Sequence, residues 1–243
     1  MYSFGSGVLY GVPSAANSTP ARFGGLQEVS LDFSFNVKEL YGQYQFPLAI
    51  ARGTGKVQAK AKQANIHSLM FNQIFFGQSL VTGETSVAVE EAGTVPSPTG
   101  PYTITVANSA TFVADLGVTY TLTGLPLTCV ATAPTTGQYS YSAGVYTFAA
   151  ADAGLGVKLN YSYTVAASGK KLVINNQLLG QSPFFQAAFT TVYNSKRCSF
   201  ILNKCISNKL TFATKLEDFV IPEFDFSCFA DDGGVIGTLS FDE

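Results

Sequence analysis

From Lys56 to Lys62 the side chains alternate. Val57, Ala59 and Ala61 fall on one side, and Lys56, Gln58, Lys60 and Lys62 on the other, which is the period of a half-buried strand. At Asn65 the rhythm changes. Ile66, Leu69, Met70, Phe71, Ile74, Phe75 and Phe76 recur at i, i+3 and i+4 and predict one amphipathic helix over 65–77, with Asn65 as N-cap and Gly77 as left-handed stop. So wide an aromatic face requires a sheet to cover it. The helix is therefore expected to pack on an antiparallel β-barrel or sandwich. Leu69, Phe71, Ile74 and Phe75 are its packing face, turned to the core or to a neighbouring subunit.

Everywhere else the pattern reads as strand and turn. Val29, Leu31, Phe33, Phe35 and Val37 alternate with polar residues over 28–38, a long strand by ordinary standards. Gly42 and Pro47 interrupt the pattern that follows, and Gly53 and Gly55 are expected to turn the chain. Residues 1–25, rich in Gly, Ser, Ala and Pro and without periodicity, suggest an extended N-terminal arm that is ordered only on a neighbour. After Lys171 apolar runs return. Phe184–Tyr193 and Cys198–Cys205 suggest a hairpin around Asn194-Ser195-Lys196, and Asp231-Asp232-Gly233-Gly234 suggests a hairpin loop between Phe219–Phe229 and Val235–Phe241.

Composition changes this picture in the middle of the chain. Between Leu80 and Ser168 there are five acids and one base, Lys158, while the rest of the chain carries 11 acids and 13 bases. Short runs around Tyr102, Ala110, Tyr120, Tyr139, Tyr146 and Val157, with turns between, suit a small β-sandwich of its own. The expected organisation is a discontinuous β domain, 1–82 with 167–243, carrying an inserted β-rich domain at 83–166. Gly83 and Gly169 are the expected hinges, and the insert is expected to project from the exterior of any assembly.

Charged residues make up 12% of the chain and the net charge is −2. A typical domain has about 25% charged residues, so extensive apolar interfaces are expected. A protein gripping duplex phosphates should be basic; this one is not. No apolar run reaches the roughly 18 residues of a membrane span, and Met1–Gly5 lacks the basic and apolar regions of a signal peptide.

Candidate chemistry is sparse. His67 and Ser68 are adjacent on the expected helix and so cannot face each other as base and nucleophile. Glu90 and Glu91 read as a solvated pair, and Asp115 and Asp152 as Asx-turn residues without the ligand density of a calcium loop. Gly53-Thr54-Gly55-Lys56 resembles part of a phosphate loop but leads into a strand, not a helix. Lys56, Lys60 and Lys62 form a basic stripe without aromatic partners, a weak nucleic-acid site. Cys129, Cys198, Cys205 and Cys228 lack CxxC spacing and are expected to be small buried thiols of a reducing compartment. Neither catalytic nor metal residues nor a cofactor site can be assigned. Tyr139, Tyr141, Tyr146, Tyr161 and Tyr163 could stack on sugars or fill a sandwich core.

Three stretches carry a resemblance. Phe23–Leu31, Lys38–Gln43 continuing through Ala51–Lys56, and the closing Asp218–Phe226 resemble the major tail tube protein of long-tailed bacteriophages. Gly137–Ser140 with Tyr146–Asp152 is similar to a pattern of phage structural proteins. The resemblance implies packed antiparallel sheets flanked by one helix, and a non-enzymatic virion protein that forms stacked, hexameric rings around a lumen for the genome. Its implied partners are further copies of itself, the tape measure and tail terminator proteins, and double-stranded DNA in transit without tight binding. Assembly would take place in the cytoplasm of the infected bacterium, without membrane insertion. A capsid decoration protein or a carbohydrate-binding tail module is the alternative.

Overall fold

The computed structural model describes residues 5–15, 18–65 and 67–242. In chain order, the first elements are β1 (Val8–Pro13), β2 (Ala21–Arg22), β3 (Leu26–Tyr41), β4 (Pro47–Gln63) and the single α-helical turn α1 (Ser68–Phe71), which continues as a π-helical turn over Asn72–Phe76. Next come β5 (Leu80–Thr94), β6 (Thr103–Thr105), β7 (Phe112–Tyr120), β8 (Thr128–Cys129), β9 (Gln138–Ser142), β10 (Val145–Phe148) and β11 (Gly156–Leu172). The chain closes with β12 (Phe184–Tyr193), β13 (Lys196–Thr211), β14 (Glu223–Phe229) and β15 (Gly237–Phe241). The fold is mainly β with antiparallel sheets and one short helix. Two compact units divide it: Met1–Leu80 with Leu172–Glu243, and Val81–Lys171.

The first unit is built on one open sheet in the order β2-β1-β12-β13-β14-β4-β3, with β15 also pairing β13. Among the described residues it does not close into a barrel. Asn194 and Ser195, both with positive φ, form the two-residue link between β12 and β13, as a type I′ hairpin requires. β14 and β15 do not form the hairpin expected around Asp231–Gly234. Each pairs a different half of β13, Thr211 to Lys204 for β14 and Cys198 to Leu202 for β15. The turn itself is held by Asp231, whose Oδ1 accepts from the N–H groups of Gly233 and Val235.

The helical segment begins later than its periodicity predicts. The N–H groups of Ala64 and Asn65 donate to the carbonyls of Gly25 and Gly24, which holds 64–65 extended. His67 takes the N-cap position without a side-chain cap. Ile66 lies outside the described residues. The end of the segment is set by Asn72. Its carbonyl accepts from Gly77 N–H at 2.6 Å, an i to i+5 closure, and its carboxamide bonds both the N–H and the carbonyl of Gln78. Gly77 is left-handed as expected. Of the predicted packing face, Phe71 and Ile74 are buried and Phe75 is half-buried against the core. Leu69 departs from it: it is 46% exposed, and Met70 is buried in its place.

Phe224 centres this core. Its ring meets Phe23 at 5.0 Å, Phe75 at 4.8 Å and Phe71 at 5.6 Å, spacings typical of favourable aromatic pairs. The reading of residues 1–25 as an arm needs correction. Residues 1–4 and 16–17 lie outside the described residues, but β1 pairs β12 over its whole length and β2 pairs β1. Leu9 and Phe23 are buried, so this segment is part of the sheet. Gly11 explains why the pattern was faint: a Cβ there would stand 2.4 Å from Ile74 Cδ1, so the strand gives up a side chain to let the helix approach.

The second unit has a three-stranded sheet, β5-β11-β7, and a four-stranded sheet, β6-β10-β9-β8. Val106, Val118, Tyr139, Tyr146, Phe148, Leu159 and Tyr161 lie in one core built from both. Carboxylates reach into it. Asp115 accepts from Tyr139 at 2.5 Å, from Tyr146 at 2.8 Å and from Gly117 N–H. Buried Asp152 accepts from Tyr120 and from Gly137 N–H, and Glu91 from Tyr161 and Ala107 N–H. Glu91 is therefore not part of a solvated pair with Glu90, which meets Lys158 at 2.6 Å. Gly83 and Gly169, the expected hinges, lie close to the boundaries between the units. Both lie inside strands, β5 and β11, with positive φ, and the boundaries between the units fall within these same strands.

Candidate assembly surface

The long hairpin of β3 and β4 has two parts. At its root, Leu26 and Val57, Ala59 and Ala61 enter the core, and β4 pairs β14 from Val57 to Lys62. Beyond that β4 has only β3 as a partner. Every residue from Asp32 to Lys56 except Pro47 is exposed. The blade keeps strand register, Phe33 opposite Val57, Phe35 opposite Gly55 and Glu39 opposite Ile50, with irregularities at Phe35/Val37 and Leu40/Tyr41. Few side-chain contacts brace it. The Arg52 guanidinium lies 4.2 Å over the Phe35 ring, and Asn36 donates to Thr54 at 2.8 Å.

Gly53 and Gly55 therefore sit within β4 and do not turn the chain. A Cβ on Gly55 would come within 2.9 Å of the Phe35 ring; the glycine makes room for that ring across the strand pair. The likeness to a phosphate loop has no structural counterpart, since this backbone is committed to the strand ladder.

Phe33, Phe35, Leu40, Tyr44, Phe46, Leu48 and Ile50 are exposed along the blade, Phe46 at 78%. Two loops of the same unit are also apolar and exposed, Ile174, Leu178 and Leu179 before β12, and Phe212, Leu216 and Phe219 between β13 and β14, with Leu216 at 99% and Phe219 at 90%; the second of these lies at the root end of the β3–β4 hairpin, where Glu223 pairs Lys62. A two-stranded ribbon alone is marginal in water, and a long exposed edge with apolar side chains is a template for pairing. Burying five such side chains would contribute on the order of 10 kcal/mol. That is comparable to the about 4–15 kcal/mol that association costs.

The other predicted features resolve as follows. Lys60 pairs Glu223 at 2.9 Å, and Lys62 pairs Glu28 at 2.7 Å and Glu223 at 3.6 Å, so these two lysines of the basic stripe are engaged within the sheet. His67 is exposed at the helix start. Tyr139, Tyr146 and Tyr161 are buried and unable to stack on a sugar, whereas Tyr141 is 42% exposed. Cys205 and Cys228 are buried as expected, but Cys129 is exposed and Cys198 intermediate. A mostly apolar cleft beside the helix, lined by Leu69, Asn72, Gln73, Gln78, Pro183 and Phe184, has no acid, base or metal ligand among its described lining residues. No cluster of three or more His, Cys, Asp or Glu poised for a metal ion occurs among the described residues. Within the same residues, no helix is long and apolar enough to cross a membrane.

Compared with known protein families and with characterised proteins, the sequence matches none. The blade was missed in sequence because its alternation stops at Val37. Its apolar residues, read individually, look like breaks in a strand. The retrievable signal was the density of Tyr, Phe, Leu and Ile between Leu40 and Ile50 in a stretch with few charges.

Proposed function

We propose that the protein is a structural subunit that assembles with copies of itself, and that the assembly is a phage tail tube of stacked rings. The β3–β4 blade carries this reading: a ribbon exposed from Asp32 to Lys56 gains a partner when it lies on a second copy. Contact between a blade and a different surface of the next subunit is heterologous, the kind that closes into rings or propagates as a filament. The resemblance of Phe23–Leu31, Lys38–Lys56 and Asp218–Phe226 to tail tube proteins supports the same reading, since the second of these stretches forms the blade itself. Hexameric rings, contacts with the tape measure and terminator proteins, and a lumen that passes the genome belong to this proposal.

Negative-stain microscopy and sedimentation of the full chain test it. Rings or tubes are expected from the wild type. Replacing residues 38–51 by an Asn-Gly turn should give folded monomers that keep the melting transition of the first unit. A wild type that stays monomeric at high concentration overturns the reading. A conduit must also release its cargo: titration with duplex DNA at about 0.15 M salt should show no salt-dependent binding, and submicromolar affinity would contradict passive passage.

A further inference from the structure

β13 and β14 set Cys205 directly opposite Cys228 in register, with their sulfurs 3.2 Å apart. Both thiols are free. Both lie in the core of the first unit, Cys205 fully buried and Cys228 8% exposed. Opposed residues of an antiparallel pair have Cα atoms about 4.5–5.5 Å apart, within the roughly 4.4–6.8 Å that a disulfide spans. The sulfurs have only to close to about 2.0 Å, a change that side-chain torsions can supply while the strands stay in place. We infer that Cys205 and Cys228 form a dithiol modification site that a small peroxide oxidises to a cross-strand disulfide.

The two thiols are not equivalent. The hydrogen bond to Cys228, together with burial, raises the Cys205 pKa and keeps that thiol protonated. The same bond lowers the pKa of Cys228, and Cys228 is also the one that solvent touches. Cys228 is therefore the nucleophile and Cys205 the resolving thiol. The Cys228 thiolate attacks one peroxide oxygen, the O–O bond breaks, and the departing hydroxide takes up the proton that Cys228 released, leaving as water. Cys228 is then a sulfenic acid. The Cys205 sulfur attacks the Cys228 sulfur, the S–O bond breaks, and the Cys205 proton leaves with that hydroxide as a second water. Two electrons and two protons pass from the dithiol to the peroxide.

The bond would close a covalent loop through residues 206–227. That loop contains Leu216 and Phe219, two exposed apolar residues. It would also tie β13 to β14, the strand on which β4 is built. The oxidation chemistry stands apart from the assembly reading.

The test uses the full chain with Cys129→Ser and Cys198→Ser, treated with hydrogen peroxide and mapped without reduction. The expected product has lost two thiols and yields one peptide pair linked through Cys205 and Cys228, with no link between chains. Its melting temperature should rise by about 5–10 °C and return on reduction. With Cys205→Ser added, Cys228 should persist as a sulfenic acid that dimedone traps. Thiols that stay free after an unfolded control has fully oxidised would overturn the inference, as would sulfinic acid at Cys228 without the linked peptide. If the Cys205→Ser protein does not fold, the linked peptide alone decides.

Discussion

At the scale of single residues, the second unit depends on hydroxyl–carboxylate pairs. Burial, and next the hydrogen bonds to Asp115, hold the Tyr139 and Tyr146 phenols well above their ordinary range; Tyr161 is raised by burial and by Glu91. An unfolded chain ionises its tyrosines near pH 10, before these folded ones do. The stability they contribute is thus fully present below about pH 10 and is lost as pH rises above it. Tyrosinate absorbance should show a late, cooperative step as the unit unfolds. Asp115→Ala leaves the hydroxyls of Tyr139 and Tyr146 without this acceptor and should cost about 1–3 kcal/mol for each hydroxyl left unpaired, measured by urea unfolding. Sequence spacing places these tyrosines on alternating positions, yet the sugar-stacking and core readings share that alternation. Only the position of Asp115, one of the chain's few acids in that region, separates them. Its partners lie 24 and 31 residues away, beyond what local pattern reveals.

Among the elements, those announced by their own periodicity were legible and those specified by contact were not. The helix was visible in the spacing of Met70, Phe71, Ile74 and Phe75, but its first turn was not, because Gly24 and Gly25 hold Ala64 and Asn65 in place. β1 was hidden by Gly11, whose bare backbone is what Ile74 packs on. The blade was hidden because none of the described residues buries it. Asn72 offers a check at this scale. Its carboxamide closes the π-helical turn through both polar groups of Gln78 and is itself 6% exposed. Asn72→Ala should cost about 1–3 kcal/mol and speed hydrogen exchange at Gln78 while leaving the exchange of β13 unchanged. Uniform loss of protection across the sheet would mean that the turn is not an independent stop.

For the whole molecule, the two units have separate cores. Each therefore has the means to fold by itself. Replacing Glu84–Ala166 with a short Gly/Ser linker should retain the melting transition of the first unit and its assembly, and should abolish the cooperative alkaline step, since Tyr139, Tyr146 and Tyr161 leave with the excised segment. A chain that no longer folds after this replacement would show that the second unit supports the first. The division was visible in sequence as a collapse in the number of bases. Its edges were not, because Gly83 and Gly169 interrupt side-chain pattern without interrupting β5 and β11.

The pairing of β1 with β12 also orders events during synthesis. Val8 meets Thr190 and Pro13 meets Phe185, so β1 must wait until β12 has left the ribosome. The intervening unit, contiguous in sequence, can be complete before then, as segments synthesised earlier fold earlier. The β3–β4 ribbon is local and forms early, but its anchor, β14, is translated long after β4. A nascent chain therefore holds an exposed apolar ribbon without the sheet that positions it, and premature association on polysomes is the hazard. Limited proteolysis of chains stalled near residue 215 should find 81–171 protected and residues 8–63 still cleavable, with protection of the latter arriving only after β14 is released.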